Sequence, residues 1–322
     1  MGQGRLPVSV TVCMANRLFS CVVSLIVIET TSIVAVIGVG RMGAAMAGTL
    51  SRAGFPLVVW NRNASKAEKV ASLTGAEVAP TAAGATRAAA VVLTSLADDA
   101  ALEAVYLGDD GVVAGSGPGI VVVDTSTVDP DTVTKIGAMV EETGARFLDA
   151  PVSGSVSTVE AGTLTFMAGG DGETLEAVGP VLTVLANNII HTGGRGSGSA
   201  TKLAVNALVH GLNVALSEAL VLAEKAGVDR SVAYEVFATG AGGAPFVQYK
   251  RDAYEHPEDA KVAFSLELAA KDLELITALG RRVGASMRQA ESGLEVIRSA
   301  IASGMGDRDL SAVAVYLRGE ES

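Results

Sequence analysis

The stretch Ile33-Val-Ala-Val-Ile-Gly38-Val39-Gly40-Arg41-Met42-Gly43-Ala-Ala-Met-Ala-Gly-Thr-Leu50 constrains the fold more than any other. Five apolar, mostly β-branched residues run into G-x-G-x-x-G, and a helix of small residues follows. Each glycine has a physical task. Gly38 permits the tight strand-to-helix turn, Gly40 lets the backbone approach a pyrophosphate, and Gly43 lets the helix pack on its strand. The helix N-terminus then turns free N–H groups toward phosphate oxygens. Glycine makes up 37 of the 322 residues, so the motif alone also reads as an ordinary glycine-rich turn. Its context separates the readings: a strand precedes it, a helix follows, and a second strand, Pro56-Leu-Val-Val-Trp60, ends about 20 residues on. That context implies a dinucleotide-binding α/β domain.

A chain of 322 residues has room for about two domains. Hydrophobic residues are 49% of the chain, charged residues 18% and aromatics 4%, as in an α/β protein rich in Ala, Gly and Val. The net charge of −11 opposes a nucleic-acid partner, whose phosphates it would repel. A small anionic substrate remains compatible, because a local cationic pocket can act against the global field. Cys13 and Cys21 both precede the first strand, so the body offers no disulfide or thiolate metal site, and a reducing cytoplasm is expected. His191, His210 and His256 lack zinc-hydrolase spacing, and no metal is expected. In residues 1–32, Arg5 and Arg17 precede the apolar run Val22–Ile28. No small-x-small cleavage site follows, and the run is too short to span a bilayer. These residues read as an extension, disordered or from a mis-set start, and no membrane segment is expected.

The first helix should run to about Arg52, stopped by Ala53-Gly54-Phe-Pro56. Strand two delivers Asn61-Arg62-Asn63. An NAD site places an acid here for the ribose 2′-hydroxyl, whereas an NADP site needs a cation for the 2′-phosphate. The acid is missing and Arg62 is present, so NADP(H) is expected over NAD(H). A helix is expected from Ser65, short strands at Ala76–Ala79 and Ala90–Thr94, and Ser95-Leu96-Ala97 at a strand end where open sheets bind ligands. Gly108 to Gly119 reads as a loop and Ile120–Asp124 as a strand. Asp129-Pro130 then starts a helix. Ala145–Asp149 and Leu164–Gly170 read as strands flanking a loop of hydroxyls and glycines around Ser153-Gly154-Ser155. That loop suits a carboxylate, and equally an ordinary turn.

Gly193-Gly194-Arg195-Gly196-Ser197-Gly198 is the sharpest break in composition. Helical patterns follow at 200–226, 231–237, 264–282 and 286–303, with no strand among them. The expected architecture is a Rossmann-type domain over residues 33–195, then an all-helical domain over 196–322, joined by a long interdomain helix. On that helix Lys202 and Asn206 share one face. Their neighbours are apolar nearly all round, which implies a buried helix. A lysine so placed exchanges protons near neutrality or serves as a structural ion pair. Lys271-Asp272 fits a site or a solvated helix face.

In this order the motifs resemble the β-hydroxyacid dehydrogenases, the family of 3-hydroxyisobutyrate dehydrogenases and glyoxylate/succinic semialdehyde reductases. The resemblance covers about residues 33–318. It rests on Gly38–Gly43, Asp124-Thr-Ser126-Thr127, Asp149-Ala-Pro-Val-Ser153-Gly154, Lys202-Leu-Ala-Val-Asn206, Lys271-Asp272-Leu273 and Asp309-Leu-Ser-Ala312. It implies that Gly38, Val39, Gly40, Arg41, Met42 and Gly43 bind pyrophosphate, and that Asn61, Arg62 and Asn63 surround the 2′-phosphate. Leu96 and Thr127 would line the cofactor, and Ser126, Ser153 and Gly154 would hold a substrate carboxylate. Lys202 would be the acid/base, Asn206 would orient the substrate, and Lys271 would close the site. Family members form dimers or tetramers through their helical domains.

Two departures from the family pattern are visible. Ser155 stands where members often carry a second glycine, and Asn63 where NADP users often have threonine. Val209 replaces the glutamate that sugar-phosphate decarboxylating relatives carry. The implied reaction moves hydride between NADP(H) and a small β-hydroxy acid or its semialdehyde. The alternatives are an imine reductase, which usually replaces the lysine, and a non-catalytic NADP-binding paralogue.

Overall fold

The computed structural model describes residues 28–319. Its first part alternates β1 (Val34–Ile37), α1 (Arg41–Arg52), β2 (Leu57–Trp60), α2 (Ala64–Thr74), β3 (Glu77–Val78), α3 (Ala82–Arg87), β4 (Val91–Thr94), α4 (Asp99–Leu107), α5 (Val112–Gly115), β5 (Val121–Asp124), α6 (Pro130–Glu142) and β6 (Arg146–Asp149). These strands lie in the order β3-β2-β1-β4-β5-β6, all parallel. Chain order reverses between β1 and β4, and open sheets bind ligands at such a switch point. Alternation along the strands covers both sheet faces. Val34, Val36, Leu93 and Val123 enter one core, while Ala35, Ile37, Val92 and Val122 enter the other. The helices begin where the sequence supplies caps. Asp98 accepts from the Ala101 N–H, and Asp129 accepts from the Asp131 N–H just before Pro130.

The sheet continues through β7 (Val152–Ser153), α7 (Val156–Glu160), β8 (Leu164–Gly170), α8 (Gly172–Leu185) and β9 (Ala186–Gly193). β8 runs antiparallel to β6 and β7, and β9 runs parallel to β8. The expected loop around Ser153 thus holds a two-residue strand and a short helix, and the one at Gly108–Gly119 holds α5. α8 and β9 lie in a stretch whose pattern gave no separate signal.

The helical part comprises α9 (Ser197–Lys225), α10 (Arg230–Thr239), α11 (Pro245–Tyr249), α12 (Arg251–Glu255), α13 (Leu266–Val283), α14 (Arg288–Ala300) running into a π turn at Ile301–Met305, and α15 (Ala312–Arg318). Leu203, Leu220, Tyr234, Leu273, Ile297 and Val313 belong to its core.

Two expectations need correction. Ile28 is only 6% exposed and packs in the core with Val34 and Val36, so the folded body starts before residue 33. The rest of the apolar run Val22–Ile28 lies outside the described residues. α9 is not buried all round: Ala204, Leu208, Ala215, Glu218 and Leu222 form an exposed stripe, with Leu208 66% and Leu222 72% exposed. Its 29 residues are long and apolar enough to cross a membrane by length and composition. Its inner face, however, buries Asn206, His210, Asn213 and Ser217 against protein. Asn213 donates to the Leu310 carbonyl and Ser217 lies against Tyr254.

Candidate active site

The glycine turn has the form that a pyrophosphate requires. Gly38 sits at φ +88°, and a Cβ on Gly43 would strike the Gly38 carbonyl, so neither position admits a side chain without a shift. Nothing lies within 4 Å of where a Gly40 Cβ would be, so that face is open. The first turn of α1 has no side-chain cap and no acid, leaving its N–H groups free for an anion. Arg41 is exposed and Met42 half-buried beside it. Leu96, at the end of β4, packs against Gly38 from the neighbouring strand.

Beyond β2 a cavity of about 360 Å³ opens between Trp60, Arg62, Ala67, Val78 and Pro80. Arg62 is exposed there, with no hydrogen bond or ion pair among the described residues. Its two neighbours are already committed. Asn61 accepts from the Val39 N–H at 3.2 Å and donates to the Asn63 carbonyl at 3.0 Å. It thereby ties the glycine turn to β2. Asn63 caps α2, accepting from the Ser65 N–H and hydroxyl at 3.1 and 2.7 Å. The expected phosphate triad is therefore one arginine beside two asparagines whose carbonyl oxygens do structural work. The open turn, uncapped helix, cavity and free guanidinium fit a bound dinucleotide.

Ser126 is held in a network at the ends of β4 and β5. Its hydroxyl is buried, donating to Asp124 Oδ1 at 2.8 Å and accepting from the Leu96 N–H at 3.0 Å. Thr94 donates to the same oxygen at 2.5 Å. The Ser126 hydroxyl links the β4 and β5 loops. Burial pushes the Asp124 carboxyl up to about 6, against the pull of the Thr94 and Ser126 hydroxyls. Ser153 is half-buried on β7 and Gly154 is exposed at φ +141°. No hydrogen bond joins either to the other candidates among the described residues. Ser155 gives its N–H to Thr158 Oγ1 at 2.7 Å, so the serine replacing glycine opens α7.

The helical part brings its candidates together around a residue that the pattern left ambiguous. Asp272 is 1% exposed and so is no solvated helix face. Its Oδ2 accepts from Asn206 Nδ2 at 2.6 Å and lies 3.7 Å from His210 Nε2, while its Oδ1 lies 2.9 Å from Lys271 Nζ. Burial works to raise the Asp272 carboxyl, but His210 and Lys271 outweigh it and hold it below the usual range. Lys271 also reaches the first domain, donating to the carbonyls of Thr127 at 2.6 Å and Ala97 at 3.2 Å. This lysine therefore bridges the helical part to the ends of β4 and β5.

Lys202 is half-buried on the Asn206 face of α9. Loss of solvation pushes its ammonium down to about 8; Asp272 works against the shift and Lys271 with it. An amine in that range can give or take a proton near neutral pH. Asp272 and His210 were legible in principle. Asp272 follows the spacing of buried Ala269 and Ile276, and His210 continues the i, i+4 row of Lys202 and Asn206.

Known proteins match this chain along nearly all of its described length. Residues 33–193 match the NAD-binding domain of 6-phosphogluconate dehydrogenase. Residues 196–317 match the NAD-binding family of NADP-dependent 3-hydroxyisobutyrate dehydrogenase. The NAD-dependent L-serine dehydrogenase of Pseudomonas aeruginosa is 35% identical, over 87% of this chain and 96% of its own. Glyoxylate/succinic semialdehyde reductase 2 of Arabidopsis thaliana is 33% identical, over 97% and 87%. The solved structure of Mycobacterium tuberculosis 3-hydroxyisobutyrate dehydrogenase with L-serine superposes with a TM-score of 0.80 at 31% identity, covering 89% of this chain and 99% of that one. With a dinucleotide turn at the sheet's switch point and a lysine–asparagine helix behind it, the chain belongs to the β-hydroxyacid dehydrogenase family and is an NAD(P)-dependent oxidoreductase acting on small substrates.

Proposed function

We propose that the protein interconverts a small β-hydroxy acid and its semialdehyde, prefers NADP(H), and uses Lys202 as the proton carrier. The observation that carries this reading is the half-buried Lys202 ammonium, lowered to about 8, one turn from Asn206 and near the Asp272–Lys271 pair. The nicotinamide, when bound, supplies or accepts the hydride at the carbonyl carbon. Lys202 protonates the oxygen as charge develops on it; in the oxidative direction its neutral amine removes the hydroxyl proton. Asn206 has one N–H committed to Asp272, which leaves its Oδ1 to accept from the substrate hydroxyl or from Lys202. Lys271 fixes the helical part over the ends of β4 and β5 and limits the access of water. Ser153 and Gly154 support carboxylate binding as the free hydroxyl and exposed backbone next to β7.

Arg62 supports the choice of NADP(H), since it is a free cation where no acid competes. The exposed, mostly apolar stripe on α9, with Val232 and Val236 also exposed on α10, supports a homodimer or homotetramer built on the helical parts. The position of both cysteines within residues 1–27 supports a reducing, cytoplasmic setting. Initial rates with glyoxylate, succinic semialdehyde, methylmalonate semialdehyde and tartronate semialdehyde, each with NADPH and NADH, test the reading. Turnover of at least one carbonyl, faster with NADPH, is expected. Reduction of a cyclic imine with none of the four turned over would overturn it.

A further inference from the structure

The helix that carries Lys202 begins on a buried carboxylate that the reaction scheme does not use. Asp149 ends β6, is fully buried, and accepts from two backbone N–H groups at the start of α9. Gly196 donates to Oδ1 and Ser199 to Oδ2, each at 2.8 Å. Both are orphan donors of a helix N-terminus, where a negative charge also opposes the positive end of the dipole. The contact is close on every side. A Cβ on Gly198 would strike the carbonyl oxygens of Asp149 and Met167, so helix backbone rests directly on strand backbone. Burial pushes the Asp149 carboxyl up, and the N–H groups of Ser199 and Gly196 pull it back. Ser199 and Lys202 are three residues apart on one face, separated by about 4.5 Å along the axis. Asp149 also leads directly into Ala150-Pro151-Val152-Ser153.

We infer that Asp149 is a positioning residue: it fixes the first turn of α9, and through it the Lys202 ammonium, relative to the segment that carries Ser153. The inference rests on Lys202 as the proton carrier. Proton transfer tolerates little misplacement, with about 1 Å costing about 100-fold. Loss of the anchor therefore acts on chemistry more than on cofactor affinity.

The test compares wild type with Asp149→Asn, which keeps the shape but points an NH2 group at one of the two N–H donors. Gly196→Ala is the second variant, and its Cβ also presses on the Thr134 hydroxyl. Gly196 lies at φ +87°, so a side chain strains the residue whose N–H bonds Oδ1. Three readouts are taken: hydrogen exchange at the Gly196 and Ser199 amides, NADPH affinity by fluorescence titration, and kcat on the carbonyl that wild type reduces fastest, with NADPH and with NADPH carrying deuterium at both C4 positions. For Asp149→Asn the amides should exchange at least about tenfold faster. Its kcat should fall about 10- to 100-fold, the isotope effect should rise, and NADPH affinity should stay within a few-fold. Gly196→Ala should show the same pattern and decides the matter if Asp149→Asn does not fold. A lower kcat with an unchanged isotope effect in the folded variants would mean only a smaller active fraction and would overturn the inference. Wild-type rates despite fast-exchanging amides would do the same. If wild type reduces no carbonyl at all, the Lys202 reading fails and takes this one with it, while the exchange data still report whether the anchor exists.

Discussion

With Lys202 as the proposed proton carrier, its lowered pKa makes the two directions of the reaction depend on pH with opposite sign. An ordinary lysine near 10.4 is neutral in about one molecule in 2,500 at pH 7, whereas a group at about 8 is neutral in about one in ten. Burial thus raises the usable base about 200-fold, equivalent to about 3 kcal/mol. Carbonyl reduction needs the ammonium, so its kcat/KM should hold level at neutral pH and fall about tenfold per unit above about 8. Alcohol oxidation needs the amine, so its kcat/KM should climb about tenfold per unit up to about 8 and then level. Asp272 supports the charged form of Lys202, so Asp272→Asn should move both midpoints to lower pH. Initial rates in both directions from about pH 6 to about pH 10 measure these limbs. An oxidation rate indifferent to pH, or two limbs with unrelated midpoints, would refute the reasoning.

Arg62→Ala should weaken NADPH binding by about 1.5–3 kcal/mol, a lost charged hydrogen bond, and leave NADH nearly unchanged; titration of both cofactors checks this, and equal losses would remove Arg62 from the 2′-phosphate site. Starting the chain at Thr31 removes Ile28 from the core, so denaturant unfolding should show a loss of about 1.5–3 kcal/mol, against none if those residues are dispensable. Leu208→Glu with Leu222→Glu puts charge on the exposed stripe of α9, and sedimentation should then show a smaller assembly than wild type, with an unchanged assembly locating the interface elsewhere.

Local physics made the first domain legible. The glycine turn, the β-branched strands and the Asp-Pro helix start are each specified within a few residues, and the structure puts β1, α1 and α6 where those signals lie. The Lys202–Asn206 face was also legible, because helical periodicity alone brings the two together. What sequence could not supply was partner identity across long separations. Asn206 and Asp272 are 66 positions apart and Asp149 and Ser199 are 50 apart, so neither pair leaves a local pattern. Side-chain oxygens also have competing uses. Asn63 reads as a phosphate ligand, and its Oδ1 also caps α2 while its NH2 group stays free among the described residues; Ser126 reads as a carboxylate ligand, and its hydroxyl also meets Asp124. The apolar surroundings of Lys202 looked like burial on all sides. A free helical face and a core face are equally apolar in sequence, and only packing shows that Leu208 and Leu222 lie on the outside.

The central claim is that Lys202 moves the proton, and its removal tests this most directly. Reduction by NADPH of whichever of the four carbonyls wild type turns over fastest should be measured for wild type, Lys202→Ala and Lys202→Arg, alongside NADPH binding. Lys202→Ala should lose about 10²–10⁴-fold in kcat while NADPH affinity stays within a few-fold. Lys202→Arg should not recover the rate, because a guanidinium does not release its proton near neutral pH. Turnover by Lys202→Ala at the wild-type rate would contradict the account.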